Sequence, residues 1–109
     1  FDTLNAKAAI DATMEAERRS GKRLPIMLSI TVSDLAGRTL SGQTLEAVLA
    51  SVSSYPLFSI GLNCSFGAPQ MKPFLKELAR KSPYYISAYP NCPTVWANTT
   101  RRQSRWLRR

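Results

Sequence analysis

Apolar residues recur along the chain at two spacings, and these spacings predict its helices and strands. Two stretches repeat apolar residues at i, i+3, i+4 and i+7, the pattern of a helix packed on one face. The stretch 1–21 is predicted to be a further helix, which Asp2 or Thr3 caps and Gly21 ends. The two apolar stripes are Leu45, Val48, Leu49 and Val52, and Met71, Phe74, Leu75 and Leu78.

Three short runs rich in apolar and β-forming residues lie between and after these helices, and we interpret them as strands over 25–31, 58–63 and 84–88. The first run is uninterrupted and is therefore predicted to be buried on both faces. The polar stretch 32–43 is predicted to be a loop with a short hairpin around Gly37-Arg38.

The alternation of helices and strands predicts an α/β fold with parallel strands and right-handed crossovers. Three strands cannot close a barrel, so the predicted architecture is a partial (β/α)8 TIM barrel of about three βα units. Its exposed sheet edges would favour aggregation if the chain were produced alone.

Composition and charge restrict the class of protein. The chain has 109 residues, enough for one small domain. It shows neither a signal-peptide layout nor an apolar stretch long enough to span a membrane. Two cysteines without a repeating framework indicate a reducing compartment, so a cytoplasmic location is predicted.

The net charge of +8 is unevenly distributed. Residues 1–91 carry ten Lys/Arg against seven Asp/Glu, whereas residues 92–109 carry five arginines and no acid. These arginines, with Trp96 and Trp106, leave open an alternative function as a small basic nucleic-acid-binding protein. The nearly balanced charge of residues 1–91 argues against that alternative.

Cys64 is the candidate reactive residue, because it lies at the end of the second predicted strand, just before a turn. Ala68-Pro69 then opens a helix, with proline in the first turn where its missing N–H costs nothing. Reactive groups of α/β folds collect at the carboxyl ends of strands. A buried, inert cysteine is the alternative interpretation.

Five short motifs occur in an order and spacing that closely resemble the homocysteine-binding domain of the cobalamin-dependent methionine synthases. These enzymes form a branch of the zinc-dependent homocysteine S-methyltransferases, whose domain is a (β/α)8 barrel. The resemblance covers residues 1–91. The motifs are Phe1-Asp-Thr-Leu-Asn-Ala-Lys-Ala-Ala9, Leu24-Pro-Ile-Met27, Gly37-Arg-Thr-Leu-Ser-Gly-Gln-Thr44, Gly61-Leu-Asn-Cys64 and Pro90-Asn91.

The resemblance implies a zinc ion held by three cysteine thiolates, which binds and activates the thiol of homocysteine. Cys64 matches the first of these ligands. The other two form an adjacent Cys-Cys pair, which this chain lacks, and Cys92 matches neither. The isolated chain is therefore predicted to bind zinc poorly and to catalyse nothing.

The resemblance also implies the substrates and partners. Homocysteine accepts a methyl group from methylcobalamin, and other regions of the full-length enzyme bind cobalamin. Asn63, Thr31 and Asn91 lie at predicted strand ends and are candidate contacts for the amine and carboxylate of homocysteine. The alternative role for Asn63 is a turn-forming amide, and Asp2 is interpreted as a helix cap.

Residues 92–109 depart from the family pattern and are predicted to be a disordered, non-homologous tail. Back-translation in a shifted frame permits Leu-Pro-Asn-Gly-Leu-Gly-Glu-Tyr-Asp-Glu-Thr-Pro, which continues the pattern. Its forced residues also agree with that pattern: Asn91-Cys92 must give Leu and Trp96-Ala97 must give Gly. We therefore interpret the tail as an out-of-frame translation.

A short deletion or a sequencing error just after Asn91 would produce such a tail. We predict that sequencing the encoding DNA through the Asn91 codon and several hundred bases beyond will restore this frame. The shifted frame should then continue to an adjacent Cys-Cys pair. An unchanged frame that ends after Arg109 would contradict the interpretation.

Overall fold

The computed structural model describes residues 2–34, 36–64 and 67–90, with only the backbone of Cys64. Predictions about Asn91 and residues 92–109 lie outside the described residues. Helices and strands alternate along the described chain, as predicted. The elements are α1 (Thr3–Ser20), β1 (Met27–Val32), α2 (Leu45–Val52), β2 (Ser59–Cys64), α3 (Ala68–Lys81) and β3 (Tyr85–Pro90).

The three strands form one parallel sheet in the order β1-β2-β3. The pairing starts with Met27 beside Ser59 and Ser59 beside Tyr85, and it continues without a bulge to the strand ends. Parallel strands require crossover connections, which α2 and α3 provide. The sheet is open within the described residues, which confirms the predicted α/β class and agrees with a partial barrel of βα units.

Both ends of α1 follow the sequence signals. The Asp2 side chain accepts a hydrogen bond from the Leu4 backbone N–H at 3.0 Å, so Asp2 caps the helix as predicted. Gly21 ends the helix in the left-handed conformation (φ 69°), which glycine adopts without steric cost. No helix in the described ranges is long and apolar enough to cross a membrane.

The helices α2 and α3 also begin with local sequence signals. Thr44 caps α2 by accepting a hydrogen bond from the Ala47 N–H at 3.2 Å. Pro69 lies in the first turn of α3, and Pro73 lies only one turn further on. The carbonyl partner of the Pro73 nitrogen would be Pro69, so the lost hydrogen bond weakens only the start of the helix.

The core lies between the helices and one face of the sheet. Its central members are Ile60 and Leu62 of β2, which are completely or almost completely buried. The α2 stripe is buried throughout, whereas Phe74 and Leu75 of α3 are half-buried against the core. The remaining buried apolar residues are Ile10, Ile30, Val32, Leu57, Met71 and Leu78.

The prediction that the first strand is buried on both faces is wrong. Ile30 and Val32 are buried, but Met27 remains 63% exposed and Ser29 is also exposed. In the described part of the chain, helices cover only one face of the sheet. Apolar character therefore predicted the strand but not the exposure of its second face.

The loop after β1 contains a hairpin, but its turn follows Arg38 and does not lie around Gly37-Arg38 as predicted. Arg38 and Thr44 form an antiparallel bridge, and the chain reverses through Thr39 to Gln43. The Thr39 N–H donates to the Gln43 carbonyl at 2.9 Å, and the Gly42 N–H donates to the Thr39 carbonyl at the same distance. Gly42 (φ 82°) supplies the left-handed residue that this turn needs.

Tyr84 ties the start of β3 to the end of α2. Its phenol oxygen lies 2.7 Å from the carbonyl of Tyr55 and 3.1 Å from those of Val52 and Ser53. The Val52 and Tyr55 carbonyls also accept backbone N–H groups, from Tyr55 and Leu57 respectively. The hydroxyl therefore adds a side-chain donor to the chain just after the end of α2 and holds the start of β3 against it. Burial raises the pKa of Tyr84 above the ordinary tyrosine value.

We expect Tyr84→Phe to lower the free energy of unfolding by about 1 kcal/mol, because it removes this hydrogen bond and keeps the ring. Urea unfolding followed by circular dichroism measures the change. Tyr85→Phe is the matched control, since the Tyr85 side chain is 71% exposed. Equal stabilities of the two variants would contradict the role given to Tyr84.

The same pair of variants predicts a pH dependence. Because folding raises the pKa of Tyr84, the protonated phenol stabilises the fold at all pH values below the ordinary pKa of 10.0. This stabilisation is lost as the pH rises through the raised pKa. The stability difference between the wild-type chain and Tyr84→Phe should therefore be constant near neutrality and shrink above about pH 10.

Candidate functional site

The sheet face that the helices leave uncovered carries three rows of side chains, set by the strand register. We call this the open face. Because side chains alternate along a strand, the residues between the buried core positions share this face. From the amino end to the carboxyl end, the rows are Met27, Ser59 and Tyr85, then Ser29, Gly61 and Ser87, and finally Thr31, Asn63 and Tyr89.

The structure brings together two of the three predicted substrate-binding residues. Thr31 and Asn63 are direct partners in the register of β1 and β2, in the row nearest the carboxyl end. Thr31 is half-buried and Asn63 is exposed. Neither side chain forms a hydrogen bond with another described residue. The third, Asn91, lies outside the described residues.

The structure places Asn63 in a strand and not in a turn. Asn63 lies inside β2 and pairs with Thr31 and Tyr89 on its two sides. A turn-forming amide would instead bond to the backbone of its own loop. The amide is therefore available to a ligand above the sheet.

Cys64 is the last residue of β2, at the carboxyl edge of the sheet, as predicted. Its backbone is in register with Val32 of β1 and Pro90 of β3. Helix α3 begins at Ala68, with Gly67 as its N-cap. The N-terminus of a helix carries a partial positive charge, which favours thiolates and other anions close to it.

The middle row of the open face consists of small residues, and Gly61 is required there. A Cβ atom added to Gly61 would lie 2.0 Å from the Ser87 Oγ and 2.4 Å from the Ser87 carbonyl oxygen. The hydroxyl of Ser87 therefore occupies the space that a side chain at position 61 would fill. The floor below Thr31 and Asn63 is consequently shallow and polar.

Two contacts fix the segment that follows β1 at this part of the sheet. Gly37 packs so closely on the ring of Phe74 that an added Cβ would lie 2.6 Å from that ring. Thr3, at the start of α1, donates a hydrogen bond to the side chain of Gln43. A cavity of about 30 Å³ remains between α1, β1 and the hairpin, lined in part by Asp2, Ser29 and Thr39.

The three rows contain no charged residue, and the whole chain contains no histidine. The ion pairs of the described chain lie on the helices, as in the contact between Lys81 of α3 and Glu46 of α2. The open face can therefore bind a small polar ligand through hydrogen bonds. It offers no side chain suited to remove a proton near neutral pH.

The described residues do not by themselves form a zinc site. Zinc sites in proteins have three or four protein ligands. The described ranges contain no group of three or more His, Cys, Asp or Glu side chains that could hold a metal ion. Cys64 could contribute one thiolate, and a complete site would need further donors.

Comparison with known proteins identifies the family. The chain matches the family model of the homocysteine S-methyltransferases over residues 1–108. It therefore belongs to this family, whose members transfer a methyl group to homocysteine. The match supports the family but not a particular member, and the tail interpretation stays a prediction.

Two further residues of the open face, Ser87 and Tyr89, are not among the predicted site residues. Ser87 lies within the predicted third strand, and Tyr89 directly follows it. The alternation of side chains along β3 identifies them, because they alternate with the residues of this strand that face the core. This alternation requires the strand to continue to Pro90, two residues beyond the predicted end.

We expect Gly61→Ala to lower the free energy of unfolding by about 1–3 kcal/mol, because the new methyl group collides with backbone atoms of β3. Gly21→Ala provides the control, since its φ is 69° but nothing lies within 4 Å of the added Cβ. That variant should show only the conformational cost, about 1 kcal/mol. A Gly61→Ala chain as stable as the wild type would contradict the close contact with Ser87.

Proposed function

We propose that this chain is part of a methionine synthase in which homocysteine accepts a methyl group from methylcobalamin. The family membership supports methyl transfer to homocysteine in general. The methionine synthase assignment rests on the resemblance of the five motifs over residues 1–91. Methyl transfer would form a carbon–sulfur bond at the homocysteine sulfur while the bond between the methyl carbon and its donor breaks, and the thiol proton is lost.

One structural observation carries the proposal for substrate binding: Thr31 and Asn63 are register partners at the carboxyl edge, beside the strand position of Cys64. A hydroxyl and an amide can hydrogen-bond to the amine and carboxylate of an amino acid. In this proposal they hold the amino-acid end of homocysteine, while the thiol points toward the carboxyl end of β2, where Cys64 lies.

The same proposal assigns Cys64 as one of the three zinc thiolates that the family resemblance implies. A bound zinc ion lowers the pKa of a coordinated thiol, which would meet the need for a thiolate near neutral pH. Since the described residues supply at most one such thiolate, we propose that the isolated chain has no transferase activity. Cobalamin would be held by a separate domain of the full-length enzyme.

The alternative function as a nucleic-acid-binding protein is not favoured. The described elements carry acidic and basic side chains in nearly equal numbers, and several are paired with each other on the helices. Strong binding to phosphate backbones instead requires clustered positive charge. The arginine-rich segment 92–109 lies outside the described residues.

Homocysteine binding by the complete 109-residue chain tests the proposal. We expect a titration with reduced L-homocysteine, followed by ¹H–¹⁵N NMR, to shift backbone signals of Thr31, Asn63 and Cys64. The dissociation constant should be on the order of 1 mM, because the site is partial. Asn63→Ala should weaken binding about fivefold, whereas Asn5→Ala, an exposed change on α1, should leave it unchanged.

Shifts confined to the helices, or equal affinities of the Asn63→Ala and Asn5→Ala chains, would contradict the proposed substrate site. Metal binding is tested separately with Co²⁺, whose thiolate complexes absorb in the near ultraviolet. The isolated chain should give no absorption typical of several thiolate ligands. A stable complex in which both cysteine thiolates of one chain bind the metal would contradict the assignment of Cys64 as a single ligand.

A further inference from the structure

Two hydroxyl side chains of β3 lie on the open face next to the candidate substrate site. Tyr89 is the register partner of Asn63, and Ser87 is the register partner of Gly61. Ile86 packs against the core from the other face of β3. Alternation along the strand therefore places Ser87 and Tyr89 on the open face.

Ser87 reaches further across the sheet than its position in an edge strand suggests. Its Oγ lies 2.0 Å from the position that a Cβ of Gly61 would take. The hydroxyl therefore lies above β2, in line with Asn63 and two residues before it. Two residues of a strand span about 6.6 Å, so both groups lie within the length of a small amino acid.

The hydrogen-bonding groups of Ser87 and Tyr89 are free for a ligand. Neither side chain forms a hydrogen bond with another residue in the described ranges. Tyr84 and Tyr55, by contrast, both use their phenol groups in hydrogen bonds to other residues of the chain. Tyr89 is 66% exposed and Ser87 is half-buried, so a molecule on the open face can reach both hydroxyls.

We propose that Ser87 and Tyr89 bind the α-carboxylate of homocysteine by donating hydrogen bonds to it. This inference rests on the proposed function, since it names two further residues of the same site. The rows of the open face contain no basic side chain, so hydroxyl groups must provide the donors there. Hydrogen bonds to an ionised carboxylate are stronger than those between neutral groups.

The position of Cys64 sets the direction in which the proposed ligand lies along β2. With its thiol toward the carboxyl end of β2 at Cys64, homocysteine directs its amino-acid end back along β2. Three residues separate Cys64 from Gly61, a distance of about 10 Å along the strand. The carboxylate then lies between the Tyr89 and Ser87 hydroxyls, and Asn63 lies beside the amine at the same end of the ligand.

The test compares variants of the complete chain in the same NMR titration. Tyr89→Phe and Ser87→Ala should each raise the dissociation constant for L-homocysteine about fivefold, because each removes one donor. Tyr85→Phe is the matched control, since Tyr85 lies on the same face of the same strand and is similarly exposed. Dispersed spectra of the free variants verify that each is folded.

A second ligand separates carboxylate recognition from a general loss of binding. 3-Mercaptopropylamine keeps the thiol and the amine of homocysteine but lacks the carboxylate. It should bind the wild-type, Tyr89→Phe and Ser87→Ala chains equally. A fivefold loss for this ligand as well would overturn the carboxylate assignment.

The remaining outcomes distinguish this inference from the proposed function. If Asn63→Ala weakens homocysteine binding while Tyr89→Phe and Ser87→Ala do not, the proposed function stands and the role of the two hydroxyls is overturned. If the wild-type chain shows no homocysteine-dependent shifts on the open face, both are overturned. Weakening by Tyr85→Phe equal to that by Tyr89→Phe would also overturn the assignment.

Discussion

The described structure depends on the pairing of β2 with a parallel strand on each side. β2 carries Ile60 and Leu62 into the core on one face and Gly61 and Asn63 onto the other. Burial of an aliphatic side chain of this size contributes about 1.5–3 kcal/mol, so these two residues anchor the sheet under α2 and α3. The open face remains available because helices cover the opposite one.

The close contact between Gly61 and Ser87 connects packing with the candidate site. A side chain at position 61 would separate β2 from β3 and fill the floor below Asn63. Its absence lets the two strands pair normally and moves a hydroxyl toward the middle of the sheet. The same glycine therefore serves the stability of the sheet and the shape of the proposed substrate site.

The open face can bind a ligand, but it has no side chain suited to proton transfer. Its rows offer hydroxyl, amide and phenol groups, and they contain no carboxylate or basic side chain. Such a surface can hold and orient an amino acid, but it cannot by itself generate a thiolate near neutral pH. These properties agree with the family reaction, in which the sulfur of homocysteine accepts the methyl group. They also agree with the proposal that activation of this sulfur requires metal ligands beyond Cys64.

The sequence by itself determined the order of the elements, their approximate limits and the α/β class. Caps such as Asp2 and Thr44, the left-handed Gly21 and the stripes of α2 and α3 are local signals, which act through neighbouring residues. The positions of Thr31, Asn63 and Cys64 at strand ends followed from the same signals. The exposed face of β1, the turn at Thr39 to Gln43, and the approach of Ser87 to Gly61 depended on the tertiary structure. Each arises from which elements pack together, and the apolar pattern of one strand carries no information about what covers its second face.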